Sequence, residues 1–245
     1  MSSFALVGPP GSGKTTMISS ACKAGYTVDL IDTDKKVEDM ANLRNYIADG
    51  QINVIPINSL LVEESLLDRA KKPGSFPKKQ PEGYLEFVTI INDMYDSEPA
   101  ADILAVDSYS RVCAHLKRYM LFLCKKHHFE YGDWDSWYTM HDELTESILG
   151  VPHYKHVIIT YHEKIIRDEI TGQIMVPVSV DGKYAHEVGR YFSEMYALEV
   201  VVTKDGKATF RCMTKPDKRR NARSSFSNET YIPSDLSKLL PKKGG

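Results

Sequence analysis

Cysteine is scarce and unpatterned in this 245-residue chain: Cys22, Cys113, Cys124 and Cys212 form no C-x-x-C pair and fall in apolar-patterned segments. That spacing excludes a zinc ribbon or a disulfide framework and fits reduced packing residues in a reducing compartment. An excess of one charge is also missing. Lys plus Arg is 31 against 33 for Asp plus Glu, a formal net charge of −2, so any surface for a polyanionic partner has to be local. No apolar run approaches the length of a membrane span, and no internal repeat or low-complexity tract is present. The first strand is expected to begin at Phe4, which leaves no room for a signal peptide ahead of it; a soluble cytoplasmic protein without membrane contact is the expectation. What is there, 42% hydrophobic and 26% charged residues, suits a soluble domain with a sizeable core. Nothing in the composition marks a boundary, so a single domain over residues 1–245 is expected.

One motif is complete. Gly8-Pro9-Pro10-Gly11-Ser12-Gly13-Lys14-Thr15 fits G-x-x-x-x-G-K-[ST] and follows the short apolar run Phe4 to Val7, with Thr16 opening a helical pattern behind it. Its glycines allow a backbone that wraps a polyphosphate with N–H groups pointing inward. Lys14 adds a point charge to the outer phosphates, and the Thr15 hydroxyl completes a magnesium shell. The helix that starts here adds the positive end of its dipole. The motif in this context implies a site for a magnesium nucleoside triphosphate.

Periodicity places the other elements. A short helix over Thr16 to Ala24, stopped by Gly25, leads to a strand at Thr27 to Ile31; a helix over Asp34 to Asp49, stopped by Gly50, leads to a strand at Ile52 to Ile55. Residues 71–83 are rich in lysine, proline and glycine and read as an exposed mobile loop. Next come a helical stripe from Tyr84 to Met94, a buried strand from Asp102 to Asp107, helical stripes through Val112 to Leu123 and Trp137 to Ile148, and a buried strand from Val157 to Tyr161. Thr171-Gly172 and Asp205-Gly206 sit at the centres of two expected hairpins, Ile165 to Val178 and Tyr196 to Met213. The expected fold is therefore α/β, with a mostly parallel central sheet flanked by helices and antiparallel C-terminal strands.

A magnesium triphosphate takes few protein ligands, and Asp107, ending a buried strand, is the candidate carboxylate beside Thr15. The same position also suits a plain helix cap. Ser108 follows it, not glutamate, so the group that orients an attacking water comes from elsewhere. Asp34, at the end of the Asp32-Thr33-Asp34 run, is the candidate, with Asp32 and Glu163 as rivals; its plain role would be to cap the helix after it. His162, at the tip of a strand that could lie between the P-loop strand and the Asp107 strand, would face the outermost phosphate and sense its hydrolysis. An ordinary surface histidine is the competing reading.

The C-terminal segment 211–245 is locally basic: Arg211, Lys215, Lys218, Arg219, Arg220 and Arg223 stand against Asp217 alone up to residue 223. A solvated face, cations reaching a triphosphate on a neighbouring subunit, or cations on a nucleic-acid backbone all fit. Taken together, Gly8 to Thr15, Asp32 to Asp34, Val106 to Ser108, Asp133-Trp134, Ile158 to Glu163, Asp181 to Lys183 and Thr214 to Arg223 resemble, in this order, the RecA-like phage P-loop proteins that include ATP-dependent single-strand annealing and recombination factors. The resemblance implies a RecA-like P-loop ATPase using ATP and Mg2+, with Lys14, Asp34 and His162 catalytic. It further implies single-stranded DNA as partner, a homo-oligomeric ring or filament in the cytoplasm of a bacterial host, and Lys215, Arg219, Arg220 and Arg223 acting across a subunit interface or on DNA. Aspartate in place of the usual glutamate and the modest net charge depart from that pattern. A small-molecule or nucleotide kinase and a nucleotide-switched loader with little turnover are the alternatives.

Overall fold

A computed structural model describes residues 1–57, 80–99, 101–167, 169 and 171–243. Most of the expected 71–83 loop lies outside the described residues; Gln80 to Glu82 are irregular and Gly83 already opens a helix. In chain order the described elements begin with β1 (Ser2–Val7), α1 (Lys14–Ser19) with a 3-10 turn to Ala24, β2 (Val28–Asp32), α2 (Arg44–Ala48) and β3 (Ile52–Pro56). There follow α3 (Gly83–Asp96), β4 (Ile103–Asp107), α4 (Tyr109–Cys124), α5 (Asp133–Gly150) and β5 (His156–Tyr161). Two short strands, β6 (Ile166–Arg167) and β7 (Ile174–Met175), then α6 (Tyr184–Glu187), precede β8 (Glu194–Val202), β9 (Ala208–Met213) and β10 (Tyr231–Pro233).

Eight of these strands form one sheet in the order β10-β9-β8-β1-β5-β4-β2-β3. From β8 to β3 all neighbours run parallel, while β9 and β10 are antiparallel additions. The α/β fold with antiparallel C-terminal strands is thus as the sequence indicates. Interior strands are covered on both faces: β4 and β2 are buried at every position, and the one polar residue inside β2, Asp29, accepts from Asn53 and Tyr154. One face packs on α3, α4 and α5 through Phe87, Val112, Leu116, Trp137 and Ile148, the other on α1 and the C-terminal segment through Met17, Ile18, Leu236 and Leu240. Three of the cysteines are buried; Cys124, at the end of α4, is exposed and so is not a packing residue. Among the described residues no helix is long and apolar enough to cross a membrane.

A further expectation is corrected. The helix over Asp34 to Asp49 shrinks to Arg44–Ala48. The Asp32 carboxylate accepts from the amides of Asp34, Lys36 and Val37 at 3.0, 2.9 and 2.9 Å, and Lys35 adopts φ 54°, so the chain folds into turns in place of a first helical turn. The C-terminal segment is packed on the domain: Leu236 N donates to Ser20 Oγ at 2.7 Å, and Lys243 reaches Asp102 at 2.6 Å.

Candidate active site

The sheet order decides what can meet. β5 lies between β1 and β4, and β2 lies beyond β4, so the loop after β1 faces the carboxyl ends of three further parallel strands. Register brings Asp32 opposite Asp107 and Val7 opposite Tyr161. The β1–α1 loop takes positive φ at Gly11 (78°) and Gly13 (87°), values that a side chain disfavours, and this curls the loop amides round one point. Lys14 is buried and donates to the carbonyls of Gly8 at 2.8 Å and Pro9 at 3.0 Å. Burial lowers its pKa, opposed by the carboxylates of Asp107, Glu163 and Asp34. Ser12 is fully buried with its hydroxyl unpartnered among the described residues.

Asp107 is held by two hydroxyls, Thr15 Oγ1 to Oδ2 and Thr160 Oγ1 to Oδ1, each at 2.5 Å. Burial raises its pKa, and the two hydroxyls and Lys14 pull against that. Thr160, near the end of β5, is not among the residues the sequence singles out for a role; a polar residue within a buried apolar strand two positions before His162 is its signal. The Asp107–Ser108 peptide is cis, and Thr33 braces it, with Ser108 N to Thr33 Oγ1 at 2.8 Å and Thr33 N to Asp107 O at 2.8 Å.

Asp34 and His162 come together from β2 and β5, with Nε2 3.9 Å from Oδ2. Both are partly exposed, and His162 beside it, with Lys36 and Arg111, holds the Asp34 carboxyl below the usual range against burial. The His162 amide donates to Ser110 Oγ at 3.0 Å, which fixes the strand tip. The rivals are committed elsewhere: Asp32 to the turn amides, and Glu163 to Arg220 through contacts of 3.1 and 3.2 Å. Nor does Asp34 cap a helix: the next one, α2, begins at Arg44 with Leu43 before it.

P-loop residues 10–16 line, with Asp32, Asp34, Lys36, Val37, Met40, Asp107, His162 and Phe210, a cleft of about 270 Å³ open to solvent. Thr16 Oγ1 accepts from Asn42 Nδ2 at 3.1 Å. Gly8 and Pro9 contribute main-chain carbonyls behind the cleft. The basic residues divide. Arg220 bridges Glu163 and Glu199 of its own chain, so its guanidinium is engaged in cis, and Arg223 donates to Gly189 O at 2.8 Å. Lys215 and Arg219 are exposed and make no ion pair among the described residues.

Magnesium accepts hard oxygen donors. A hydroxyl and a carboxylate converging at 2.5 Å beside a glycine-rich loop fit that requirement, so Thr15 and Asp107 would hold the ion, with Thr160 orienting Asp107.

Residues 2–226 match the AAA domain family, and the chain belongs to it. Among solved structures it is similar to the flagellar accessory protein FlaH of Methanocaldococcus jannaschii, 14% identical over 99% of this chain and 82% of that one, TM-score 0.45. Similar too are the RadB recombinase, 12% identical over 87% of each chain, TM-score 0.44, and the ATPase EscN of the enteropathogenic E. coli type III secretion system. For EscN the identity is 15% over 81% of this chain, the TM-score is 0.48, and the match spans 42% of that chain. No curated protein matches the chain.

Proposed function

We propose that this AAA-domain protein is a magnesium-dependent ATPase. The observation that carries the reading is the convergence of Thr15 and Thr160 on Asp107 in the cleft that also holds Asp34 and His162. Lys14 and the loop amides stabilise charge on the phosphates. Asp34, kept ionised by His162, positions water in line with the terminal phosphoryl group. The water oxygen forms the new P–O bond, the bridging P–O bond breaks with its electron pair leaving on the diphosphate, and the water proton passes to the Asp34 carboxylate. Bound magnesium supplies neutralisation of the phosphate charge. His162 reports the loss of the outer phosphate.

The same reading extends to assembly on single-stranded DNA in phage or mobile-element recombination. Support comes from the ordered motifs and from Lys215, Lys218 and Arg219, exposed cations without a carboxylate partner among the described residues. Of the four cations the resemblance assigns to an interface or to DNA, Lys215 and Arg219 are exposed and free to reach a neighbouring subunit or a DNA backbone, whereas Arg220 and Arg223 position their own chain.

Phosphate release, followed with and without magnesium and with and without an oligonucleotide, tests both parts. Magnesium-dependent release to water is expected, rising with single-stranded DNA. Transfer to a small acceptor in place of release would overturn the hydrolase reading. Absence of stimulation together with absence of salt-sensitive DNA binding would remove the DNA part.

A further inference from the structure

We infer that the base of the bound nucleotide stacks on the ring of Phe210. The inference rests on reading the cleft as a nucleoside triphosphate site and names the part of that site which selects the nucleoside.

Phe210 lies on β9 and is 46% exposed, and its cross-strand partner Val200 is 40% exposed. Further along the hairpin Val202 faces Ala208 and is 66% exposed. Toward the core the same face continues into Leu198 and Cys212, which are fully buried. An apolar face that starts in the core and runs out beside a ligand cleft is poorly placed in water unless something covers it. The ring belongs to the cleft. A Cβ added at Gly13 would stand 3.1 Å from Phe210 Cδ1, so the aromatic edge touches the last glycine of the phosphate loop.

Direction along the sheet identifies the occupant. From β1, which carries the phosphate loop, β5 and β4 lie on one side with His162 and Asp107, and β2 beyond them leads to Asp34. β8 and β9, with Phe210, lie on the other side. Strands are spaced about 4.8 Å apart, so the hydrolytic groups and the ring stand on opposite flanks of the loop. A triphosphate whose terminal phosphorus faces Asp34 and His162 therefore extends its nucleoside toward the ring. Phe210 offers a π-face and no hydrogen-bonding group, and among the described residues lining the cleft it is the sole contribution of β8 and β9. Stacking without reading of the base edge favours purines, with little distinction between adenine and guanine.

Calorimetric titration in magnesium of the wild-type chain, Phe210→Ala and Phe210→Trp with ATP, GTP and inorganic tripolyphosphate tests this. Wild-type protein should bind ATP and GTP about equally, and both on the order of tenfold more tightly than tripolyphosphate. Phe210→Ala should bring ATP and GTP down to the tripolyphosphate level and leave tripolyphosphate binding as it was. Phe210→Trp should keep the affinities, and its added indole fluorescence should be quenched by ATP and GTP but not by tripolyphosphate. Two results would overturn the assignment: ATP binding by Phe210→Ala as tight as wild type, or equal losses for ATP and tripolyphosphate. If ATP affinity survives in Phe210→Ala while a wild-type dimer becomes monomeric, the ring is a contact between copies and the assignment falls. Wild-type protein that binds neither ATP nor tripolyphosphate would instead remove the phosphate site itself.

Discussion

The two flanks of the phosphate loop are built on opposite terms. On the β5–β4–β2 side, polar groups are withdrawn from water and bonded to one another: Asp107 to two threonines, Asp32 to three amides, Thr33 to the backbone of Ser108. On the β8–β9 side an aromatic ring and two valines stand in solvent, and the cations at Lys215, Lys218 and Arg219 lack carboxylate partners among the described residues. Phosphoryl transfer needs charge held in place before the reaction, which burial and hydrogen bonding supply. Recognition of a base or a polyanion needs surface that is still free to be covered. The difference teaches that, if the cleft works as proposed, this fold holds its hydrolytic groups among bonded polar partners on one flank and leaves coverable surface on the β8–β9 hairpin of the other.

The largest break in that contrast should come from Lys14→Ala, which removes the buried cation of the phosphate loop; a loss of roughly 10²–10³-fold in phosphate release is expected with the circular dichroism spectrum unchanged. Turnover near the wild-type level would show that the buried side is not where phosphate charge is handled. Thr160→Val takes away one of the two hydroxyls on Asp107 and should raise the magnesium concentration for half-maximal turnover about tenfold, the usual scale for a group that orients a metal ligand. An unchanged magnesium curve would mean that Asp107 is oriented without it.

Arg220 joins the flanks, spanning Glu163 after β5 and Glu199 on β8. Replacing it with methionine leaves the buried Glu163 charge unpaired and should destabilise the fold by about 2 kcal/mol, seen as a melting midpoint some 4–8 °C lower. The smallest expected effect is on pH. Asp34 has its pKa depressed by His162, so its carboxylate persists as the pH falls and the acid limb of the rate lies below that of an ordinary carboxylate. His162→Asn removes the main cause, the pKa rises, and the acid limb should move to higher pH; a limb that stays put would detach His162 from Asp34.

Legibility in the sequence followed the length scale of each interaction. Gly8 to Thr15 could be read because the phosphate cradle is made of consecutive amides, whose geometry depends on glycines at fixed spacing. Asp107, Asp34 and His162 were visible as polar residues terminating apolar strands, and strand ends of a parallel sheet share one edge. The turn made by Asp32 was not visible, since helix-like spacing of Val37, Met40 and Ile47 cannot show that a side chain competes for the first amides. Thr160 was hidden by a strand that looks like plain core.

By itself the sequence determined a complete phosphate-loop motif between a strand and a helix, the polar residues that end later apolar strands, and the antiparallel strands that follow, because these depend on neighbouring residues and on hydrophobic period. Only the tertiary structure decided which carboxylates are available and which are already bound, that Arg220 serves its own chain, and that Phe210 meets Gly13 across nearly two hundred residues. Those outcomes depend on strand order, and strand order comes from packing of the whole sheet, which local pattern does not encode.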